Sequence, residues 1–300
     1  MNAPIAIFAY NRANHLEKCI QNILLCKEAA QTNVFLFCDG PKKNANQKEI
    51  KAVEETREVI KKIQGFKSIT VFISKINIGL HNSIVDGISK VLEMNDNVIV
   101  IEDDIIVGSH FLKFMNQGIM QFQNDKRIAG ITGYSFPINE SKPYFTRTGS
   151  CWGWATYKRV WDNFILNRNV LNLDLIAHDE RKLFNVYGSI YENMFLQSKQ
   201  GIIQSWAIEF YLYYFCQKQF FLMPGVNLIS NTGFDGSGQH NKRGNFLTDN
   251  NNIGQLNEIN FPMQIKEEPS IRKKMNLLYY KGFAKPTFLS SFINKIKFYF

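Results

Sequence analysis

The sequence predicts an α/β protein whose mixed, mostly parallel sheet is flanked by helices. Two observations lead to this prediction. Short apolar runs alternate with helical patterns through the first hundred residues, and turn or polar residues bound each run. A chain of 300 residues that is 45% hydrophobic and 14% aromatic can also bury a sizeable core, which excludes a disordered protein.

Apolar runs of strand length come at regular intervals, and amphipathic helical patterns such as residues 46–63 separate them. After residue 105 a helix is predicted over 109–123, and residues 175–218 are predicted to be mostly helical. The predicted strands are Pro4–Tyr10, Asn33–Cys38, Ser68–Ser74, Asn97–Ile101 and Arg127–Thr132. This rhythm is typical of βαβ units.

Acidic and amide side chains directly follow the predicted strands, namely Asp39, Asn77 and the run Glu102-Asp103-Asp104. Ligands bind at the carboxyl ends of parallel strands, so these residues are expected to share one crevice. Three adjacent carboxylates repel one another unless a cation offsets them, and their hard oxygens suit Mg²⁺ or Mn²⁺. An acidic solvated turn is the alternative.

Several motifs in this order resemble a GT-A-fold glycosyltransferase, the Rossmann-like nucleotide-diphospho-sugar transferase fold. They are similar to a family-2-like bacterial sugar transferase and to the N-acetylglucosaminyltransferase I family, over about residues 3–245. The segments concerned are Phe8–Arg12, Cys38–Gly40, Asn77–Gly79, Glu102–Asp104, Gly149–Thr156, Ser205–Glu209 and Ser230–His240.

The resemblance implies a metal-dependent, inverting glycosyltransferase of the hexosyltransferase type. The donor would be a nucleotide sugar, with UDP favoured, and the acceptor a hydroxyl of a glycan or lipid-linked molecule in surface polysaccharide synthesis. A sugar nucleotidyltransferase is disfavoured because the loop after the first strand, Tyr10–Asn14, has no glycine. A non-catalytic sugar- or polyanion-binding protein with the same fold is the other alternative.

On the donor side, the resemblance places Tyr10 and Arg12 against the nucleotide or its phosphates. Asp39 would accept a hydrogen bond from a pyrimidine N–H, and Asn77 and Gly79 would begin a helix beside the ribose and pyrophosphate. A surface arginine, a turn aspartate and a plain helix cap are the simpler interpretations.

For the metal, the resemblance implies Asp104 as the direct ligand. Asp103 and Glu102 would contact the sugar, the ribose or the metal's surroundings, with Asp103 a second candidate ligand. His240 follows a Gly-rich segment and would bind the metal or the diphosphate, or sit in a loop.

On the acceptor side, Glu209 is the first candidate for the general base, because a carboxylate in an apolar helix is costly unless it is functional or paired. A structural ion pair is its alternative, and Asp235 is the second candidate base. Trp152 and Trp154 would stack on a sugar face, or pack in the core.

Residues 1–265 are predicted to form one catalytic domain, with a nucleotide-sugar half at 1–104 and an acceptor half at 105–265. The basic, aromatic tail 266–300 has eight basic and two acidic residues, so the body has only +3 of the net charge of +9. With so little net charge, the body lacks the broad positive surface that binding of nucleic acid requires. Residues 283–300 mix aromatic residues with lysine, which suits an anionic membrane surface or a helix packed on the body.

The five cysteines are scattered without a C-x-x-C pair, so neither a disulfide framework nor a zinc site is predicted. No apolar run reaches the ~18 residues of a spanning helix, and the start of the chain lacks the pattern of a signal peptide. The expectation is a soluble cytoplasmic protein, with contact to the inner face of a membrane through the tail.

Overall fold

Ten strands form two sheets in the residues that the computed structural model describes, which are 2–235, 247, 252–256 and 258–283. The strands are β1 (Ile5–Ala9), β2 (Asn33–Cys38), β3 (Ser68–Ile73), β4 (Asn97–Glu102), β5 (Ile105–Val107), β6 (Ile128–Thr132), β7 (Tyr144–Thr146), β8 (Trp154–Tyr157), β9 (Phe220–Met223) and β10 (Ile229–Asn231). The predicted strands are confirmed to within two residues at each end.

Helices separate the strands of the first half and cluster in the second half. They are α1 (Ala13–Leu24), α2 (Gln47–Lys61), α3 (Leu80–Leu92), α4 (Phe111–Phe122), α5 (Lys158–Asn167), α6 (Arg181–Asn185), α7 (Ile190–Lys199), α8 (Trp206–Cys216) and α9 (Pro269–Phe283). The apolar stripes of α1, α3 and α4 are buried, as expected for helices that cover a sheet.

The main sheet has the strand order β3-β2-β1-β4-β8-β6-β9-β7, and only β7 and β8 run against the other six strands. This arrangement confirms the predicted fold class, a mixed, mostly parallel α/β sheet consistent with the Rossmann-like GT-A fold. The sheet continues from the first half of the chain into the second through the antiparallel pair β4–β8.

The chain changes direction within the sheet between β1 and β4. It runs outward from β1 to β2 and β3, and then returns to pair β4 in parallel with the other side of β1. Such a topological switch point leaves a crevice at the carboxyl ends of the two strands, where open α/β sheets bind ligands. The small sheet β5–β10 follows directly after β4.

An aromatic core fills the second half, and Trp154 lies at its centre with 1% of its surface exposed. Its ring stacks on Trp206 at 5.3 Å and contacts Trp161 and Phe210. Helix α8 is buried at every position except Cys216, which explains why Glu209 is the one charged residue in its sequence.

The predicted boundary at residue 265 is followed closely by α9, which packs on the body. Ile271, Met275 and Tyr279 are buried there. In the first turns of the helix, Arg272 donates two hydrogen bonds of 2.8 and 2.9 Å to the carboxylate of Glu267, which lies just before the helix. The first part of the predicted tail is thus folded against the domain, whereas residues 284–300 lie outside the described residues.

All five cysteines are free. Among the described residues, no helix combines the length and the apolar character that crossing a membrane requires.

Candidate active site

A cleft of about 1250 Å³, including its open mouth, lies at the carboxyl ends of β1, β2 and β4, opposite the start of α8. Most of the predicted site residues line it: Tyr10, Arg12, Asp39, Asn77, Gly79, Glu102, Asp103, Asp104 and Trp152. The structure therefore brings the predicted donor-side residues together at the switch point of the sheet.

Arg12 pairs with two carboxylates of the acidic run. Its Nη2 atom lies 2.9 Å from Asp104 Oδ2 and also contacts Asp103 Oδ1, while its Nε donates to Asp103 Oδ2 at 3.3 Å. Arg12 follows β1 and Asp103 follows β4, and the hydrogen bond from Asp103 N to Phe8 O joins these two strand ends at 3.0 Å. At the switch point, the guanidinium of Arg12 thus lies beside a run of three acidic residues.

The acidic run keeps an excess of negative charge, because one guanidinium faces three carboxyl groups. Burial, and then the charge of Asp104, raises the pKa of Glu102. Burial also raises the pKa of Asp103, although the charge of Arg12 opposes this. A further cation near these groups would therefore be stabilised by them.

The loop after β10 packs directly on Asp104. Thr232 donates from its backbone N and its Oγ1 to Asp104 O, both at 2.9 Å. A Cβ atom on Gly233 would lie 2.2 Å from Asp104 Oδ2, so only glycine leaves space for this carboxylate. Asn231 also lines the cleft, and its Oδ1 accepts from Gly233 N at 2.8 Å.

The carboxylate of Asp39 holds the start of α3. Its Oδ1 accepts from Gly40 N and Ile78 N at 2.8 and 2.9 Å, and its Oδ2 accepts from Gly79 N at 2.9 Å. Asn77 completes the connection by donating to Gly40 O at 3.0 Å. These bonds join the ends of β2 and β3, so Asp39 has the structural role of a turn and cap residue at the wall of the cleft.

Glu209 lies in the first turn of α8 but does not line the cleft. Its Oε2 accepts from Arg168 Nη2 at 3.1 Å, and the same nitrogen lies 2.7 Å from His81 Nε2. Burial, together with the charge of Arg168, lowers the pKa of His81, although Glu209 opposes this. The structural ion pair considered for Glu209 is therefore present.

Asp235 is about half exposed and lies 3.2 Å from His15 Nε2, measured from its Oδ2. It follows the loop that packs on Asp104, although it does not line the cleft. His240 lies outside the described residues.

The two candidate tryptophans differ in position. Trp152 lines the cleft, where Tyr134 and Phe234 hold its ring edge-to-face at 5.0 and 5.8 Å. Trp154, the first residue of β8, belongs to the core and does not line the cleft.

Gln204, Ser205, Trp206 and Asn231 are among the cleft residues that sequence reasoning missed as individual site residues. Ser205 Oγ accepts from Ile208 N at 3.3 Å and caps α8, which places Trp206 at the cleft wall. A serine directly before an apolar helical run is a signal that could have identified this helix start.

In the described part of the chain, no three His, Cys, Asp or Glu side chains converge in a complete metal site. Mg²⁺ and similar ions commonly bind through one or two carboxylates together with substrate phosphates. The hard oxygens of Asp103 and Asp104, which both line the cleft, fit this incomplete type of site.

No protein-family model matches the chain, and no curated protein matches it either. Among solved structures, the chain is similar to the crystal structure of S. aureus TarS, with a TM-score of 0.35 and 11% identity over 55% of this chain and 30% of TarS. It is also similar to a UDP-glucose pyrophosphorylase in complex with UDP-glucose, with a TM-score of 0.31 and 12% identity over 53% of this chain and 78% of that one. The chain thus spans less than a third of TarS, and at these scores neither similarity assigns an activity.

Proposed function

We propose that the protein is a metal-dependent, inverting glycosyltransferase that moves a sugar from a nucleotide-sugar donor to a hydroxyl of a glycan or lipid-linked acceptor. A UDP-sugar is the favoured donor. The observation that carries the proposal is the cleft at the switch point between β1 and β4, where Arg12 meets Glu102, Asp103 and Asp104. Open α/β sheets bind nucleotides at this position.

Mn²⁺ or Mg²⁺ would be held by Asp104 and Asp103, together with the donor diphosphate. Bound there, the ion supplies positive charge that stabilises the leaving diphosphate. His240, outside the described residues, remains a candidate third ligand.

Different side chains of the cleft would bind different parts of the donor. Arg12 lies within reach of a diphosphate in the cleft, and a guanidinium binds phosphate oxygens through two parallel hydrogen bonds. Trp152 lines the cleft with its ring partly exposed, and this apolar surface suits a sugar face.

Inverting transfer needs a carboxylate that takes the proton from the acceptor hydroxyl as the hydroxyl attacks the sugar. We propose this role for Glu209, in the first turn of α8, or for Asp235, which follows the loop that packs on Asp104. Arg168 holds one oxygen of Glu209 at 3.1 Å, whereas Asp235 is the more exposed of the two carboxylates. Each requires a movement toward the acceptor, because neither lines the cleft.

The variants Glu209→Gln and Asp235→Asn separate these two candidates. Loss of the base lowers kcat by about 10²- to 10⁴-fold with little change in donor KM. Asp162→Asn is a matched control, because Asp162 is an exposed surface acid paired with Lys158 on α5. If both variants keep the wild-type kcat, neither carboxylate is the base.

The activity is tested by incubating the protein with Mn²⁺ and UDP-, GDP- or CMP-sugars, and measuring release of the free nucleotide with and without glycan acceptors. Acceptor-stimulated release supports transfer. The same protein with a nucleoside triphosphate and a sugar 1-phosphate tests for a nucleotidyltransferase, which releases pyrophosphate instead. Nucleotide-sugar binding without turnover in either assay would indicate a binding protein.

We further propose that the protein acts in surface polysaccharide synthesis at the inner face of a membrane, which it contacts through residues 283–300. Mixed lysine and aromatic residues favour an anionic surface. The test is sedimentation with anionic liposomes before and after deletion of residues 285–300. Equal sedimentation of both proteins would exclude this role for the tail.

A further inference from the structure

The hydroxyl of Tyr10 is bound by a residue that the proposed function does not use. The ring lines the cleft just after β1, and its Oη donates to Glu49 Oε1 at 2.5 Å. The phenol oxygen also has a hydrogen bond to the backbone of Lys42. Helix α2 and the loop before it thus bind the hydroxyl of Tyr10, whose ring lines the cleft.

Contacts other than the one with Tyr10 also fix the position of Glu49. It lies in the first turn of α2, where its backbone N donates to Asn46 Oδ1 at 2.9 Å. A carboxylate is favourable at a helix N-terminus, and Lys42 Nζ lies 3.8 Å from Glu49 Oε1. Burial, and then the hydrogen bond to Glu49, raises the pKa of Tyr10, so that the phenol remains a neutral donor.

Arg12 is the one basic side chain among the described residues that line the cleft, so the wall around Tyr10 offers no cationic side chain to a phosphate. The neighbours of Tyr10 there are Asp39, whose carboxylate oxygens accept backbone hydrogen bonds, and Asn77 and Gly79 at the start of α3. Arg12 instead pairs with the acidic run, which is the end that suits a diphosphate. In a nucleotide the flat, uncharged part is the base, and base–aromatic stacking is a substantial source of affinity.

We propose that Glu49 is a positioning residue that holds the ring of Tyr10 as the stacking platform for the nucleobase. This inference rests on the proposed function. Without Glu49 the phenol loses its charged acceptor, and the ring gains freedom to rotate out of the stacking position. A hydrogen bond to a charged group is strong enough that its loss should weaken nucleotide binding by about tenfold.

The experiment measures the Kd of UDP and of inorganic pyrophosphate by calorimetry, both with Mn²⁺. The proteins are the wild type, Glu49→Ala, Tyr10→Phe, the double variant, and Glu58→Ala as a control. Glu58 is an exposed acid on the same helix and pairs with Lys61 at 2.5 Å. Thermal unfolding of each variant verifies that it is folded.

Three results are expected. Glu49→Ala and Tyr10→Phe each raise the Kd of UDP by about tenfold, and the double variant raises it no further, because both changes remove the same bond. The Kd of pyrophosphate stays at the wild-type value in every variant. Glu58→Ala binds both ligands as the wild type does.

The inference is overturned if Glu49→Ala binds UDP within twofold of the wild type, or if the two single effects add in the double variant. Equal weakening of UDP and pyrophosphate would also overturn it, since that pattern means a general disturbance of the cleft. Failure of the proposed function gives a different result: the wild type itself binds none of UDP, GDP and CMP, and both proposals are then rejected.

Discussion

Replacing Glu267 with alanine should detach α9 from the body and lower the stability of the whole domain. The Glu267 side chain is 8% exposed and accepts two hydrogen bonds from Arg272, one from Thr146 Oγ1 and one of 3.1 Å from Arg147 N. In the alanine variant this carboxylate is gone, so the guanidinium of Arg272, the hydroxyl of Thr146 and the backbone N–H of Arg147 all lose it as an acceptor.

Removing one partner of a buried ion pair costs about 3–5 kcal/mol. The Arg272 side chain is still 13% exposed, so the lower end of this range applies, about 3 kcal/mol. At about 2–4 °C per kcal/mol for a domain of this order of size, Tm falls by roughly 6–12 °C. Glu267→Gln keeps an acceptor oxygen and should have a smaller effect.

The neighbouring residue provides the control. Glu268 is 52% exposed and pairs only with Lys266 among the described residues, at 3.1 Å, so Glu268→Ala should change stability by less than about 0.5 kcal/mol. The assay is thermal unfolding followed by circular dichroism for both variants. Equal Tm values for Glu267→Ala and Glu268→Ala would refute the assignment of α9 to the domain core.

Three further outcomes test the start of α3, the loop beside Asp104 and the burial at the end of α8. Asp39→Asn removes one acceptor oxygen from the start of α3 and should lower the free energy of unfolding by about 1–3 kcal/mol, measured by thermal unfolding. Asp86→Asn, on the exposed face of α3, is the control and should be nearly neutral. Equal effects of the two variants would contradict the role of Asp39. Gly233→Ala displaces the carboxylate of Asp104 and should weaken Mn²⁺-dependent UDP binding by at least about tenfold in calorimetry, with unchanged affinity as the opposing result. Burial raises the pKa of Cys216 to about 11, so about one thiol in a thousand is ionised at pH 8, and alkylation of its peptide, followed by mass spectrometry, should accelerate about tenfold per pH unit up to pH 10. Alkylation at the rate of the unfolded chain at pH 8 would contradict this pKa.

The first half of the fold could be predicted because local pattern and tertiary position agree there. Strands such as Ile5–Ala9 are buried on both faces and therefore read as continuous apolar runs. Residues that follow parallel strands meet at one edge of the sheet, so Asp39 and the acidic run could be placed together without knowing the contacts between them.

The partners of these residues could not be predicted, because they come from distant parts of the chain. Arg12 binds Asp103 across 91 positions, and Glu49 binds Tyr10 across 39. Tertiary packing alone decides such pairs. Similarly, the pairing of Glu209 with Arg168 depends on how α5 packs against α8, which no local pattern encodes.

Trp152 and Trp154 show where a motif is too coarse to assign roles. The two residues are separated by Gly153, whose φ of +57° lies in the left-handed region, and this turn sets their different positions. Trp152 remains at the cleft wall, whereas Trp154 starts β8 between two other strands and is buried. From the sequence, both were equally good candidates for sugar stacking.

The most direct test of the central claim is the thermal stability of the wild type and Asp104→Ala with UDP, in the presence and absence of Mn²⁺. A ligand that binds only the folded state stabilises it by about 2.7 kcal/mol at a hundredfold excess over Kd. A metal–diphosphate site at Asp104 predicts that UDP with Mn²⁺ raises the Tm of the wild type and leaves that of Asp104→Ala unchanged. An unchanged Tm for the wild type with UDP, and equally with GDP and CMP, would contradict a nucleotide site in this cleft.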